Sequence, residues 1–205
     1  MNEKTELLKN FIVLEGLDGS GTTTQLKMME NYLKRKDIPV YTTCEPSPLP
    51  TGRLIRRILR KEVTVEPETL ARLFSADRYE HLFGSVDGIL THLSAGEVVI
   101  TDRYLFSSFA YQSLDCGFDL VRDLNKYPLP EYLIYLKLSP EICRQRMKNR
   151  DMEELFDADR IQKRIIENYE RGMDIYSKSG MKTVVIDGTR RPGEICSEIM
   201  KAIGR

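Results

Sequence analysis

Phe11-Ile-Val-Leu-Glu-Gly-Leu-Asp-Gly-Ser-Gly-Thr-Thr-Thr-Gln25 runs from an apolar strand through a glycine-rich loop into the start of a helix. Its spacing is that of a phosphate-binding loop, G-x-x-x-x-G-K-[ST] between strand and helix. Gly16, Gly21 and Thr23 hold their places, and Thr22 stands where the lysine belongs. Gly16, Gly19 and Gly21 permit the tight turns that aim successive backbone N–H groups at an anion. The helix that follows adds its positive N-terminal end. The segment Gly16, Asp18, Gly19, Ser20, Gly21, Thr22, Thr23, Thr24 is therefore expected to cradle a nucleoside triphosphate, with the Thr23 hydroxyl on a magnesium ion. A glycine-rich turn can also bind nothing, and it is the strand, the spacing and the helix start together that favour an anion site. Thr22 offers only a short neutral hydroxyl, so the missing charge must come from the metal, from backbone N–H groups and from arginines elsewhere.

Four more apolar runs follow the first, so strands are predicted at residues 11–14, 40–43, 98–101, 132–138 and 183–186. They are mostly continuous rather than alternating, as in strands buried on both faces. Amphipathic stretches at 23–36, 68–93 (broken near Gly84), 159–177 and 193–203 predict crossover helices. The alternation implies an α/β fold, a five-stranded parallel sheet with helices on both faces. Ligands then bind beyond the carboxyl ends of the strands. The stretches there, 15–24, 44–53 and 102–104, are rich in glycine, proline or charge. With no repeat, linker or low-complexity segment, one domain over 1–205 is expected.

Apolar residues make up 41% of the chain and charged residues 30%, which excludes a disordered protein. Lys+Arg and Asp+Glu both number 31, so no global field recruits nucleic acid or membrane. Cys44, Cys116, Cys143 and Cys196 are too dispersed for a metal knuckle or redox pair and read as reduced thiols of a cytoplasmic protein. His81 and His92 suggest no zinc site. The first ten residues lack the apolar stretch of a signal peptide, and no run approaches the roughly 20 residues of a membrane span.

Further stretches occur in a telling order. Thr43-Cys-Glu-Pro46 is similar to a T-R-E-P loop, and Leu73-Phe-Ser-Ala-Asp-Arg-Tyr-Glu-His81 to an LFxADRxxH helix. Thr101-Asp-Arg-Tyr104, with Ser107-Ser108 and Ala110-Tyr-Gln112, is similar to DRYxxSSxAYQ, and Asp187-Gly188-Thr189 to an I-D-G/A turn near an adenine. With the loop at 16–23, this set resembles the thymidylate kinase family from residue 11 to about 199. The resemblance implies a three-layer nucleoside-monophosphate-kinase-type P-loop fold, transfer of the γ-phosphoryl group of ATP to dTMP with Mg²⁺, and a homodimer.

It also implies roles. Asp18 faces the 3′-hydroxyl of the acceptor, Arg103 grips its phosphate, and Asp102 lies near the magnesium. Phe74 stacks on the thymine and Arg78 bonds its edge. Tyr111 and Gln112 line the sugar and base, Tyr111 leaving no room for a 2′-hydroxyl. From the residues alone each has a plainer reading as well. Asp18 is a turn-forming Asx residue, Asp102–Arg103 a strand-end ion pair, Phe74 and Tyr111 core residues, and Gln112 a surface residue. Glu15 is either near the metal or a solvated charge.

Where the family has arginine this chain has Cys44, and Ser47-Pro-Leu-Pro50 replaces Gly-Gly-Thr. Arg53 is thus the candidate for the acceptor phosphate and Arg56 a solvated helix charge. Arg144-Gln-Arg-Met-Lys-Asn-Arg150 falls in the family's lid, expected at about 144–157. Residues 17–20 contain no arginine, so the chain resembles the members with arginines in the lid. Arg146 and Arg150, four apart, are then placed to neutralise the moving phosphoryl group, although by spacing alone they form a solvated basic face. Two competing functions follow from the residues: a kinase-like nucleotide-binding protein impaired by loss of the lysine, or a kinase for another deoxypyrimidine monophosphate.

Overall fold

The fold is described from a computed structural model over residues 6–146 and 155–205. Strands β1 (Leu7–Gly16), β2 (Val40–Cys44), β3 (Val98–Asp102), β4 (Leu129–Lys137) and β5 (Lys182–Asp187) form one parallel sheet in the order β2-β3-β1-β4-β5. Each predicted run is a strand. β1 begins earlier than its apolar run because Leu7 and Leu8 pair with Leu129 and Pro130 across an irregularity. There Asn10 takes φ +60° and donates its N–H to Glu131 at 2.9 Å.

The connecting helices are α1 (Thr22–Lys34), α2 (Pro50–Leu59), α3 (Pro67–Phe83), α4 (Ile89–Ser94), α5 (Leu105–Tyr111), α6 (Ser113–Cys116), α7 (Phe118–Leu124), α8 (Pro140–Arg146), α9 (Leu155–Ile175) and α10 (Pro192–Ala202). The break at Gly84 is real and separates α3 from α4. Helix α2 begins inside the stretch expected as a strand-end loop, 44–53, and carries Arg56, expected on a helix. Pro50 starts it, where a missing N–H costs nothing, and Ile55 and Ile58 bury its inner face. Helices α1 and α10 pack on each other, as do α5 and α9, and together the helices cover both faces of the sheet. Phe11, Val13, Leu14, Val99, Ile100, Leu133 and Ile134 are completely buried. Each such side chain contributes about 1.5–3 kcal/mol to the drive for burial, and this explains why these strands carry no polar alternation.

From β1 the chain crosses toward β2, and from β3 it crosses the other way toward β4. A crevice opens where such directions diverge, at the carboxyl ends of β1 and β3. The parallel register sets Leu14 and Cys44 on either side of Asp102, so three strand-end loops converge there. Among the described residues no helix is long and apolar enough to cross a membrane.

Candidate active site

Gly19 and Gly21 take φ +81° and +102°, backbone that side-chain-bearing residues rarely adopt. A Cβ on Gly16 would lie 2.6 Å from Ser20 Oγ and 2.9 Å from the Leu136 carbonyl, so the loop closes only over glycine. No side chain caps α1, whose first-turn N–H groups are left for an anion. The loop forms one wall of a cleft of about 580 Å³, which Asp102, Arg103, Arg146, Gly188 and Arg190 complete.

On this cleft Thr23 Oγ1 donates to Asp102 Oδ2 at 2.5 Å. Asp102 Oδ1 is buried and has no hydrogen-bond partner among the described residues. Two hard oxygens beside a phosphate cradle, one an unsatisfied carboxylate, fit Mg²⁺.

A second cleft of about 230 Å³ shares Asp18 and Arg103 with the first. Phe74, Arg78, Tyr111 and Gln112 line it. Phe74 is half-buried, which answers the plain core reading. Gln112 Oε1 is buried without a partner among the described residues. Burial pushes the Tyr111 phenol up to about 12, so it keeps its proton at neutral pH. Arg78 is almost wholly buried; Nε and Nη2 donate to Glu45 at 2.9 and 2.6 Å, Nη2 also reaches Ser108 at 3.2 Å, and Nη1 bonds Asn125. Much of its donor capacity is spent on holding the cleft wall.

Arg103 stands where the clefts meet. Nη2 donates to Asp18 at 2.6 Å, and Nη1 to Ser107 at 3.0 Å and Tyr169 at 3.3 Å. Its guanidinium lies 5.4 Å from the centre of the Tyr111 ring. Burial opposes its charge, but Tyr169, Tyr111, Asp18 and Glu15 hold it protonated well above the ordinary arginine range. Its backbone takes φ +73°, a strain of about 1–3 kcal/mol for a residue with a side chain.

A thymidylate kinase family profile matches residues 14–199. The chain belongs to the thymidylate kinase family. It is 35% identical over 199 residues to a thymidylate kinase of Leptospira borgpetersenii, covering 93% of this chain and 91% of the relative. It is 34% identical over 198 residues to one of Carboxydothermus hydrogenoformans, covering 92% and 94%. A Staphylococcus haemolyticus thymidylate kinase is 32% identical over 202 residues, covering 94% and 96%.

This thymidylate kinase family member departs from the motifs at two places that the structure explains in part. At Cys44, in the arginine's place, Arg56 brings a guanidinium from α2: Nη2 lies 3.5 Å from the sulfur and bonds the Pro46 carbonyl, and Nη1 donates to the Ser47 carbonyl at 2.5 Å. Asp77 holds the same loop by accepting from Ser47 N at 2.7 Å and Ser47 Oγ at 2.6 Å. Arg56 is therefore half-buried and bonded, not a solvated charge. Arg53, three residues earlier on the helix, is exposed, donates from its side chain to the Pro48 carbonyl at 2.9 Å and lines neither cleft. The phase of α2 turns Arg56 toward the 45–47 loop and leaves Arg53 exposed. At the second departure Thr22 is buried, and Arg146 enters the cleft walled by the phosphate loop, bonding the Ser20 carbonyl at 3.3 Å and the Gly188 carbonyl at 2.9 Å. Arg150 and most of the segment 144–157 lie outside the described residues.

Two contributors, Arg190 and Gln25, escaped the sequence, and a third, Glu15, has a setting that neither of its sequence readings described. Arg190 reaches the cleft walled by the phosphate loop from the turn after β5 and pairs with Glu198. Gln25 is buried and ties α1 to the Pro192 carbonyl at 3.1 Å. Glu15 is fully buried, neither solvated nor bonded to the Thr23–Asp102 pair. Burial pushes its carboxyl up to about 7, against the pull of Arg103 and its hydrogen bonds. A lone carboxylate in an apolar strand was the only hint of it.

Proposed function

We propose that this chain transfers the γ-phosphoryl group of ATP to dTMP, giving dTDP and ADP. The observation that carries the reading is the pair of clefts joined at Arg103 and Asp18, one walled by the phosphate loop and the other by Phe74 and Tyr111. Backbone N–H groups of residues 19–23 hold the donor phosphates. Thr23 and Asp102 would hold Mg²⁺, which when bound supplies charge neutralisation at the β- and γ-phosphates. Arg103 orients the acceptor phosphate, Asp18 the 3′-hydroxyl, and Phe74 stacks on the base beside Arg78 and Gln112. Tyr111 excludes a 2′-hydroxyl. Catalysis is positioning plus electrostatics, with no covalent intermediate. Arg146, joined by Arg150, supplies the positive charge that Thr22 does not. Arg53, expected to hold the acceptor phosphate, is exposed and lines neither cleft, so this scheme gives it no contact.

The chain works as one kinase domain, in a cytoplasmic homodimer. Tyr79, Phe83 and Val86, exposed around the end of α3, support a surface for the second copy. A coupled assay with ATP and Mg²⁺, comparing dTMP with dUMP, dCMP and AMP, tests the reaction. Preference for dUMP or dCMP would move the substrate within the deoxypyrimidines. The neutral Thr22 favours one further reading, a nucleotide-binding protein without efficient turnover. Calorimetric binding of ATP and dTMP with no product would establish that reading instead.

A further inference from the structure

We infer that Glu15 is a positioning residue: from inside the sheet it sets the backbone and the guanidinium of Arg103 at the junction of the two clefts. The inference deepens the proposed reaction, and only its kinetic arm rests on it.

The geometry runs through both ends of Arg103. Consecutive residues of β1 grip the consecutive peptides that flank it. The Leu14 carbonyl accepts the Arg103 N–H at 2.9 Å, and Glu15 Oε1 accepts the Tyr104 N–H at 2.9 Å. The same Oε1 accepts the Ser107 N–H at 3.0 Å, so a strand residue satisfies the first turn of α5, which no side chain of its own caps. The Arg103 carbonyl accepts from Thr101 Oγ1 at 2.9 Å. Arg103 is thus held at φ +73° from both sides, as a strained residue must be to persist.

The other oxygen reaches the side chain. Glu15 Oε2 accepts from Ser107 Oγ at 2.6 Å and from Tyr169 OH at 3.0 Å. Those two hydroxyls are the groups to which Arg103 Nη1 donates. Glu15, the Ser107–Tyr169 pair, Arg103 and Asp18 form one continuous polar chain from the core to the cleft. A carboxylate buried with four donors around it serves no packing purpose that a leucine would not serve at lower cost.

Glu15→Ala and Glu15→Gln test this, each by crystal structure and by steady-state kinetics. In Glu15→Ala, Arg103 is expected to leave Asp18 and its left-handed backbone. kcat/KM for dTMP should fall about 100-fold, the scale of an ångström-sized misplacement. KM for ATP should stay within about threefold, since the donor contacts are untouched. Glu15→Gln keeps an acceptor for both N–H groups and should recover to within about tenfold of the wild type. If Glu15→Ala does not fold, Ser107→Ala, which breaks the bridge and leaves Glu15 in place, must displace the Arg103 guanidinium and selectively weaken use of dTMP. Arg103 unmoved in a folded variant, or equal losses for ATP and dTMP, would overturn the inference. Absence of dTMP turnover in the wild type would instead sink the proposed reaction, and the crystal structures would still decide the role of Glu15.

Discussion

Thr23 and Asp102 face each other across the β1–β3 crevice, hydroxyl to carboxylate at 2.5 Å, with the other Asp102 oxygen buried and unpartnered. A carboxylate left half-satisfied in a buried place is expensive unless a cation completes it. Asp102→Asn should lower kcat about 100-fold and raise the Mg²⁺ needed for half-maximal rate about tenfold, whereas Thr23→Ser, which keeps the hydroxyl, should change either by less than about threefold. Initial rates against Mg²⁺ concentration decide it. An unchanged Mg²⁺ requirement in Asp102→Asn would make the pair an ordinary strand-end contact.

Arg146 reaches the carbonyl of Ser20 inside a phosphate loop whose lysine position holds the buried Thr22. If the site has been rebuilt around that arginine, Arg146→Ala should cost about 100–1000-fold in kcat, the usual scale for loss of one contact to developing charge. Thr22→Lys alone should change kcat by less than about tenfold, yet it should restore at least about tenfold when added to Arg146→Ala, because the two cations serve one charge. Single-turnover rates of the four proteins form the cycle. Additive effects would show two independent contributions and refute the substitution of one cation for the other.

Arg56 clamps the Pro46 and Ser47 carbonyls, while Arg53 points outward from the same helix. Removing the clamp strands acceptors that a charged donor had satisfied, which costs about 1–3 kcal/mol. Arg56→Ala should therefore lower the thermal midpoint by several degrees and raise KM for dTMP, since Glu45 and Pro46 line the cleft proposed to hold it. Arg53→Ala should leave both within error. A Cβ on Gly52 would lie 2.0 Å from the Ser47 carbonyl, so Gly52→Ala should damage the same loop by backbone collision. Thermal melts and dTMP saturation curves separate the three variants.

The Glu15 carboxyl, raised by burial from 4.5 to about 7, carries a stability signature of definite sign. The native state holds its proton more tightly than the unfolded chain does. Its contribution is therefore complete below the unfolded value and is lost as pH rises through the native one. From about pH 5 to about pH 8, the stability of the wild type relative to Glu15→Gln should fall by about 2–3 kcal/mol. Denaturant unfolding of both proteins across that range isolates the carboxyl from every other titrating group. A constant difference would overturn the assignment.

The two arginines of α2 show why part of the site could not be read from sequence. Arg53 and Arg56 are three apart, follow a motif whose continuation is altered here, and differ in the direction that the helix gives them. That direction depends on where Pro50 starts the helix and on how Gly52 lets it approach Ser47. The phosphate loop had no such ambiguity, because its glycines, strand and helix start are contiguous and each constrains its neighbours. Phe74, Arg78, Tyr111 and Gln112 were named from motifs, and they line one cleft. Arg78 was named for the base edge, but its bonds to Glu45, Asn125 and Ser108 come from segments distant in the chain and no motif showed them.

Sequence by itself determined the five strands, the parallel α/β class and the phosphate loop, because apolar runs and glycine spacing act over a few neighbouring residues. Tertiary structure decided the pairs: Thr23 with Asp102 across 79 residues, Asp18 with Arg103 across 85, and Glu15 with Ser107 across 92. Each depends on the register that sets Leu14 beside Asp102 and on the turn each helix makes after its strand. Hydrogen bonds are satisfied or lost within fractions of an ångström, and over such separations only the packed sheet fixes positions that finely.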